Sequence, residues 1–451
     1  MALSAASSAA RDIALNHRRF VLTPWSAQAD LQAPAIVRGE GVYLYDADGG
    51  RYMDLSSGLV AANLGHGHPT VLAAMHEQID RLCFSPPNWF NDARAELAEA
   101  IVELAPWQGE GGRVFFTSGG GQSNEDAVKF ARAITGRQKI LTAYRSFHGS
   151  STGAAALTGE NRRWTTDSGA MPGVVRFWAP FPYRSPFDTT DAATETRRAL
   201  AHLRATVAAE DPSRIAAILI EPVVGSNGVI VYPEGYLAGI RALCDETGIL
   251  MICDEVMTGF GRLGAAYGCE RFGVVPDAIT FAKGVTSAYA PLGGVALRER
   301  YARTFDTMPL PGGHTYSGHP LAMSAGLGAI RAYRDEDIFA RANVIEGWLR
   351  TRLDRLRERH QVIGDVRGVG AFFALDFVSD RTTREPLVAW QGAGMGVMAT
   401  LYKGLRERGV YAFGRYNIVC ISPPLVVTEM ELDEAFDALD GAIGDLEAAR
   451  T

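Results

Sequence analysis

The sequence predicts an α/β protein whose central sheet is mostly parallel and buried on both faces. Three segments are apolar throughout and have the length of a strand: residues 215–220, 249–253 and 278–282. A strand shows this continuous apolar pattern when helices cover the sheet above and below it. Glycines cluster between the apolar segments, as expected where strands pass into helices through tight turns. Together these observations favour an α/β architecture.

The first element of the predicted sheet is a strand over residues 113–117, which leads into the glycine-rich turn 118–122. The residues after the turn carry apolar side chains at positions i, i+3, i+4 and i+7, the spacing of a buried helix face. These residues are Ala127, Phe130, Ala131 and Ile134. Gly136 follows, as is typical of a helix C-terminus. The pattern predicts a helix over residues 123–135.

Each of the three apolar strands ends at a polar residue, which is Glu221, Asp254 or Lys283. A helix between the first two strands is marked by Leu237, Ile240 and Cys244 and stops at Gly248. Ligands of parallel sheets bind at the carboxyl ends of the strands. We therefore expect the three polar side chains to converge on one site.

The C-terminal part of the chain predicts a smaller α+β domain. An amphipathic stretch runs from about residue 321 to 359, and shorter strand-like runs cover residues 371–377 and 418–421. Thr428 and Glu431 form a capping-box pattern that opens a last helix. Its apolar face consists of Leu432, Phe436, Leu439, Ile443 and Leu446. We predict an N-terminal segment (1–65) that contributes to the small domain, a large domain (66–325) and a C-terminal small domain (326–451).

The composition is that of an ordinary globular protein. Of the 451 residues, 47% are hydrophobic and 21% are charged, and the net charge of −7 comes without a Lys/Arg run that could neutralise nucleic-acid phosphates. The five cysteines form no C-x-x-C pair, so we expect reduced core thiols and no metal site. Neither a signal peptide nor an apolar run of about 20 residues is recognisable. We expect a cytoplasmic protein that binds neither nucleic acid nor a membrane.

Asp254 and Lys283 each have a simple structural explanation, as a strand-end cap and as a lysine that extends to solvent. Their equivalent positions on two strands favour a shared ligand instead. A desolvated lysine is a nucleophile toward aldehydes, and an aspartate can keep a pyridine nitrogen protonated. The amides of Gly119–Gln122 suit a phosphate at a helix N-terminus. Pyridoxal 5′-phosphate combines these three groups.

The chain resembles a class III (ω-type) aminotransferase of the fold-type I family of pyridoxal-phosphate enzymes over nearly its whole length. The matching segments are 117–125, 146–149, 221–223, 254–262, 282–284 and 314–320. The resemblance implies a mostly parallel seven-stranded sheet with a smaller α+β domain. It also implies a homodimer or tetramer with shared active sites.

The resemblance makes Lys283 the Schiff-base lysine and the general acid and base, and makes Asp254 the partner of the pyridine nitrogen. Val256 and Phe147 would cover the two faces of the ring, and Glu221 would lie on its substrate side. The other implied cofactor contacts are His148, the phosphate-binding residues Gly120, Gly121 and Gln122, and Thr315, which would reach in from the neighbouring subunit.

Three departures from the family pattern bear on the site. Many relatives have Ser-Gly-Ser-Glu in place of Gly119–Gln122, Tyr in place of Phe147, and Trp in place of Val60. The first change removes hydroxyl contacts to phosphate, the second removes a phenol, and the third alters the shape of the substrate pocket.

Several segments resemble the taurine–pyruvate aminotransferase subgroup, and these are residues 25–28, 162–164, 413–417 and 422–424. By this resemblance Arg415 is our candidate for binding the substrate's acid group through a bidentate fork. A surface arginine near a domain interface is the alternative. Trp25, Val60, Phe84 and Trp89 are further candidates for the substrate pocket, although the three aromatic residues would also suit a core.

The predicted function is ping-pong transfer of an amino group from an amine or ω-amino acid to a keto acid, with pyruvate as the expected acceptor. Another class III enzyme, either a decarboxylating transaminase or an aminomutase, is the alternative. The segment Gly259–Gly264 formally matches the dinucleotide-binding pattern G-x-G-x-x-G. That distant alternative is disfavoured because Asp254 and Glu255 separate these glycines from the strand, and because no helix is predicted after them.

Overall fold

The computed structural model describes residues 7–392 and 395–450. Its N-terminal part contains a helix, a three-stranded antiparallel meander and three further helices. Their bounds are α1 Ser8–Phe20, β1 Ile36–Glu40, β2 Tyr43–Asp46, β3 Arg51–Asp54, α2 Ser57–Val60, α3 Pro69–Arg81 and α4 Asp92–Leu104.

The middle of the chain alternates between strands and helices. Its elements are β4 Gly112–Thr117, α5 Gly120–Thr135, β5 Lys139–Ala143, α6 Thr152–Leu157, β6 Val174–Phe177, α7 Ala192–Glu210, β7 Ile215–Ile220, β8 Val223–Val224, β9 Ile230–Val231, α8 Tyr236–Thr247, β10 Leu250–Asp254, β11 Ala278–Phe281, β12 Gly293–Arg298, α9 Glu299–Ala302 and α10 Pro320–Asp335.

The C-terminal part again mixes helices and strands. Its elements are α11 Ile338–Arg359, β13 Ile363–Val369, β14 Phe372–Asp380, β15 Glu385–Pro386, α12 Met398–Glu407, β16 Val410–Tyr411, β17 Phe413–Arg415, β18 Ile418–Ile421 and α13 Glu429–Ala448.

The central sheet has seven strands in the order β4-β12-β11-β10-β7-β5-β6. β12 runs antiparallel to both of its neighbours, and the other pairs are parallel. Every residue of β7, β10 and β11 is buried, as expected for strands covered on both faces. The α/β class and the mostly parallel seven-stranded sheet predicted from the sequence are confirmed.

The two ends of the chain meet in a second, four-stranded sheet of order β1-β2-β3-β16, in which Val410 pairs with Met53. A third, antiparallel sheet contains β13, β14, β18 and β17, with β15 paired to β14. Strands from both ends of the chain thus lie outside the central sheet. The division at residues 65 and 325 stays a prediction.

The structure divides one predicted stretch into two elements and corrects one expectation about the thiols. The amphipathic stretch 321–359 is two helices, α10 and α11, because the backbone of Asp337 takes a left-handed conformation (φ 51°) between them and ends the first helix. Four of the five thiols are buried as expected, whereas Cys83 is exposed just after α3. Among the residues described, no helix combines the length and the apolar character that crossing a membrane requires.

Arg262 is a fully buried side chain that joins three parts of the chain. Its Nη1 donates to the carbonyl oxygens of Ala371 (3.1 Å) and Pro423 (2.7 Å). Its Nη2 donates to Ser57 Oγ (3.1 Å) and Asn63 Oδ1 (2.6 Å). Burial lowers the pKa of the guanidinium to about 10. The four hydrogen bonds tie the N-terminal segment and the C-terminal strands to the turn that follows Asp254.

We expect Arg262→Met to lower the free energy of unfolding by about 3 kcal/mol or more, because four buried acceptors would lose a charged donor. Differential scanning fluorimetry should show a fall in Tm of about 3 °C or more at a fixed scan rate. The control is Arg271→Ala, since that partly exposed side chain pairs with Glu346 at 3.2 Å and should change Tm little. Equal effects of the two substitutions would contradict the role of Arg262.

Candidate active site

Three polar residues converge on one cavity at the carboxyl edge of the central sheet. Glu221 follows β7, Asp254 ends β10, and Lys283 follows β11. The cavity has a volume of about 410 Å³. The order β11-β10-β7 makes the three strands neighbours, so the polar residues at their ends are forced together. The convergence expected from the sequence is present in the structure.

The glycine-rich turn forms another wall of this cavity. Gly119, Gly120 and Gly121 line it at the N-terminus of the 16-residue helix α5, where backbone N–H groups lack helical partners. A Cβ atom on Gly120 would lie 2.8 Å from Val256 Cγ2, so only glycine lets the backbone approach so closely. Such an amide-rich helix start is suited to an anion.

Gln122 does not belong to the cavity lining. Its Oε1 accepts a hydrogen bond from the backbone N–H of Ser118 at 2.9 Å, which folds the side chain back over the turn. The predicted contact of Gln122 with a phosphate stays a prediction.

Asp254 is buried and accepts three hydrogen bonds. Oδ2 receives Asn124 Nδ2–H (2.8 Å) and His148 Nδ1–H (2.7 Å), while Oδ1 receives the backbone N–H of Val256 (3.0 Å). The imidazole is held from its other side, where Nε2 lies 3.1 Å from Thr142 Oγ1. These donors fix the carboxylate at the carboxyl end of β10 and satisfy most of its hydrogen-bonding capacity.

Glu221 is also buried, at the end of the neighbouring strand. Its Oε1 accepts the N–H of Phe147 (3.0 Å) and its Oε2 accepts the N–H of Gly225 (2.8 Å). Burial, supported by the negative charge of Asp254, raises its pKa to about 7, although His148 and the two amides oppose the shift. The carboxyl also positions the backbone of Phe147, whose ring lines the cavity.

Lys283 occupies the strand end between these carboxylates and the turn. Burial lowers its pKa from 10.5 to about 8, and Arg162 lowers it further, against the attraction of Asp254 and Glu221. Among the described residues its Nζ forms no hydrogen bond or ion pair. The backbone is left-handed here (φ 48°), a strained conformation for a residue with a side chain. This amine is available to react.

The residues fit the cofactor that the sequence resemblance implies. Pyridoxal phosphate needs an anion cradle, a carboxylate for its ring nitrogen, flat apolar contacts and an amine for its aldehyde. The cavity offers them in Gly119–Gly121, Asp254, Phe147 with Val256, and the unpartnered amine of Lys283. The close approach at Gly120 is the most specific part of the match.

None of the five predicted substrate residues, Trp25, Val60, Phe84, Trp89 and Arg415, is among the residues that line this cavity. Val60 is buried in a core cluster with Phe372, Ile418 and Cys420. Trp89 is 67% exposed, and Phe84 packs on the rings of Tyr316 and His319. Thr315, next to Tyr316 in the sequence, is also exposed. The functional roles of these residues stay predictions.

Trp25 and Arg415 belong to one group of side chains around Arg162 and Glu160, which the sequence does not predict. Arg162 has its guanidinium carbon 3.6 Å from the ring centre of Phe147 and 5.5 Å from that of Trp25. Buried Glu160 lies between Arg162 and Arg415, pairing with both. In the sequence, residues 162–164 stand out only through their resemblance to the subgroup, and Asn124 only as part of the segment 117–125. No sequence signal predicted Glu160.

The dinucleotide pattern Gly259–Gly264 forms irregular turns and is followed only by a short 3-10 helix, Gly268–Phe272, rather than by an α-helix that starts at its last glycine. Gly261 and Gly264 have positive φ (94° and 89°) and border the buried Arg262. The strand–turn–helix context that a dinucleotide site requires is missing here, which removes the rival interpretation.

Comparisons with known proteins agree with the geometry. A family model described as aminotransferase class-III matches residues 26–443. The chain is 42% identical to the solved structure of a taurine:2-oxoglutarate aminotransferase from Bifidobacterium kashiwanohense, in complex with PLP and glutamate (TM-score 0.92; 96% of this chain and 97% of that chain covered).

A solved (S)-enantioselective ω-transaminase from Thermomicrobium roseum is 33% identical (TM-score 0.91; 97% and 98% covered). A leucine/methionine racemase from Thermococcus litoralis is 32% identical over 434 residues, 93% of this chain and 92% of the relative. The matching family model covers nearly the whole chain, so this protein belongs to the class III aminotransferases, which are pyridoxal-phosphate-dependent enzymes of fold type I.

Proposed function

We propose that this aminotransferase moves an amino group from an ω-amino acid, either taurine-like or β-alanine-like, to a keto acid in a ping-pong cycle, with pyruvate as the acceptor. The observation that carries the proposal is the unpartnered amine of Lys283 in one cavity with the buried carboxylate of Asp254. The similarity to a taurine:2-oxoglutarate aminotransferase supports the class of donor.

In this proposal Gly120, Gly121 and Gln122 hold the phosphate, Val256 and Phe147 cover the ring, and Asp254 faces the ring nitrogen. When bound, the cofactor supplies an aldehyde that captures the donor's amine and a cationic ring that withdraws electrons from the adjacent carbon. His148 and Asn124 hold the Asp254 carboxylate in its orientation.

Lys283 is the proposed general base. With a pKa of about 8, Nζ is partly neutral near pH 7.5, so it can accept the proton from the amine-bearing carbon of the donor. Glu221, with its pKa near 7, stays close to Lys283 and can change charge in the same pH range. Both pKa shifts arise mainly from burial, so the reactivity of these two groups depends on their being shielded from water.

The acid group of the substrate binds, in this proposal, on the arginine side of the cavity, where Arg162 and Arg415 share Glu160. Val60 packs in a core cluster with Cys420, whose thiol acts electrostatically on Lys283, and in this proposal it shapes the pocket indirectly through that cluster. A second copy of the chain would bring Thr315, Phe84 and Trp89 to this site. The exposure of these three residues supports a homodimer with shared active sites.

Lys283→Ala should abolish the visible absorbance of the bound cofactor and reduce transamination by about a thousandfold or more, because both the anchoring amine and the general base are lost. Absorbance spectra and alanine formation from pyruvate measure the two effects. Lys403→Ala is the control, since that side chain is 68% exposed and should leave both unchanged. Turnover retained by the Lys283 variant would refute the assignment.

The rate at which cofactor-free protein captures pyridoxal phosphate should be half-maximal near pH 8, because only neutral Lys283 attacks an aldehyde and burial has lowered its pKa to about 8. Stopped-flow absorbance across pH 6–10 measures this rate. A lysine with the ordinary pKa of 10.5 would give a rate still rising about tenfold per unit at pH 9. That result would contradict the buried-amine account.

A donor panel should separate the proposed function from its alternatives. Taurine, β-alanine and longer ω-amino acids with pyruvate should yield alanine, and 2-oxoglutarate serves as the second acceptor to be tested by glutamate formation. Loss of optical activity from single-enantiomer leucine or methionine, without amino transfer, would instead indicate racemisation, the activity for which one relative is named. Absence of alanine and glutamate with every donor would overturn the proposal.

A further inference from the structure

The group formed by Glu160, Arg162 and Arg415 carries one more positive than negative charge. Glu160 is completely buried, and its Oε1 accepts Arg162 Nε–H at 2.5 Å. Its Oε2 lies 3.0 Å from Arg415 Nη2. The two side chains that accept hydrogen bonds from Arg415, Asn161 and Tyr416, are neutral. A buried surplus charge is unfavourable unless an anion joins it, so the group is built to receive one.

The two arginines differ in how fully they are engaged. Nη2 of Arg415 already donates to Asn161 Oδ1 (2.8 Å) and Tyr416 Oη (2.9 Å), besides its ion pair with Glu160, and its Nε is buried without a partner. Arg162 is nine-tenths buried, yet it uses only Nε, and its buried Nη2 has no hydrogen-bond partner. The terminal fork of Arg162, which matches a carboxylate or sulfonate in a bidentate manner, is therefore the free one.

The surroundings hold Arg162 in place for this task. Its guanidinium stacks 3.6 Å from the ring centre of Phe147, which lines the cavity, and Trp25 flanks it at 5.5 Å. Glu160 fixes the Nε edge, so the opposite edge is the one left to bind a ligand. Stacking on aromatic rings also lowers the conformational freedom that the long side chain would lose on binding.

We propose that Arg162, rather than Arg415, binds the acid group of the substrate, and that Glu160 and Arg415 act as positioning residues for it. The ligand class is a carboxylate or sulfonate separated by a short chain from the amine that reacts at Lys283. This inference rests on the proposed function, because it assigns the specificity of the same cavity. It replaces Arg415 as the residue in contact with the acid.

The test measures binding of ethanesulfonate, an acid without an amine, to the holoenzyme by isothermal titration calorimetry. Arg162→Gln should weaken binding at least tenfold, and Arg162→Lys should also weaken it because lysine keeps the charge without the fork. Arg163→Gln is the matched control: the neighbouring arginine pairs with Asp167 instead and should change affinity less than twofold. Arg415→Gln should have a smaller effect than Arg162→Gln.

Transamination of propylamine, which has no acid group, is the second readout. Arg162→Gln should raise KM for β-alanine about tenfold more than it raises KM for propylamine, because only β-alanine carries an acid group for the fork to bind, whereas misfolding would reduce both activities alike. Unchanged ethanesulfonate affinity in Arg162→Gln, or a larger loss in Arg415→Gln, would overturn the inference. If wild-type enzyme transaminated no donor, the proposed function would fail, while ethanesulfonate binding would still decide the role of Arg162.

Discussion

The buried carboxylate of Asp254 is the interaction around which the rest of the site is organised. A charge at the end of a buried strand is costly unless several donors surround it, and here the donors come from three segments. Asn124 belongs to α5, which begins at the glycine turn, and His148 follows the cavity residue Phe147. Asn124 Oδ1 also accepts Thr280 Oγ1–H from β11, the strand before Lys283. The hydrogen bonds that satisfy this one charge therefore hold the glycine turn, the segment of Phe147 and the strand before Lys283 together.

Charged groups around Lys283 shift its pKa in opposite directions. Asp254 and Glu221 attract its proton, whereas burial and Arg162 favour its loss, and the result is a pKa of about 8. The same burial raises the pKa of Glu221 to about 7. Acid and base chemistry near neutral pH follows from the burial of Lys283 and Glu221 rather than from any one charged partner. Beside Phe147, the group of Glu160, Arg162 and Arg415 carries a surplus positive charge.

Continuous apolar runs predicted β7, β10 and β11 to within one or two residues, because burial on both faces leaves little choice of side chain. The convergence of Glu221, Asp254 and Lys283 followed from strand ends alone. The break between α10 and α11 was missed because Asp337 interrupts the helix through its backbone without disturbing the apolar spacing. The pairing of Glu160 with Arg415 was also beyond reach, since residues about 250 positions apart meet only through the tertiary fold. Likewise, nothing local indicated that Val60 would face a core cluster rather than the cavity.

The central claim is that Lys283, alone among the lysines, reacts with the cofactor. The chain has only four lysines, at positions 129, 139, 283 and 403, so a chemical trap can distinguish them completely. Holoenzyme would be reduced with borohydride, which fixes the cofactor to the amine that holds it, and digested for peptide mass spectrometry. The account predicts a pyridoxyl modification on Lys283 and on no other lysine. Modification of Lys129, Lys139 or Lys403 in its place, or of no lysine in a protein that still binds the cofactor, would contradict it.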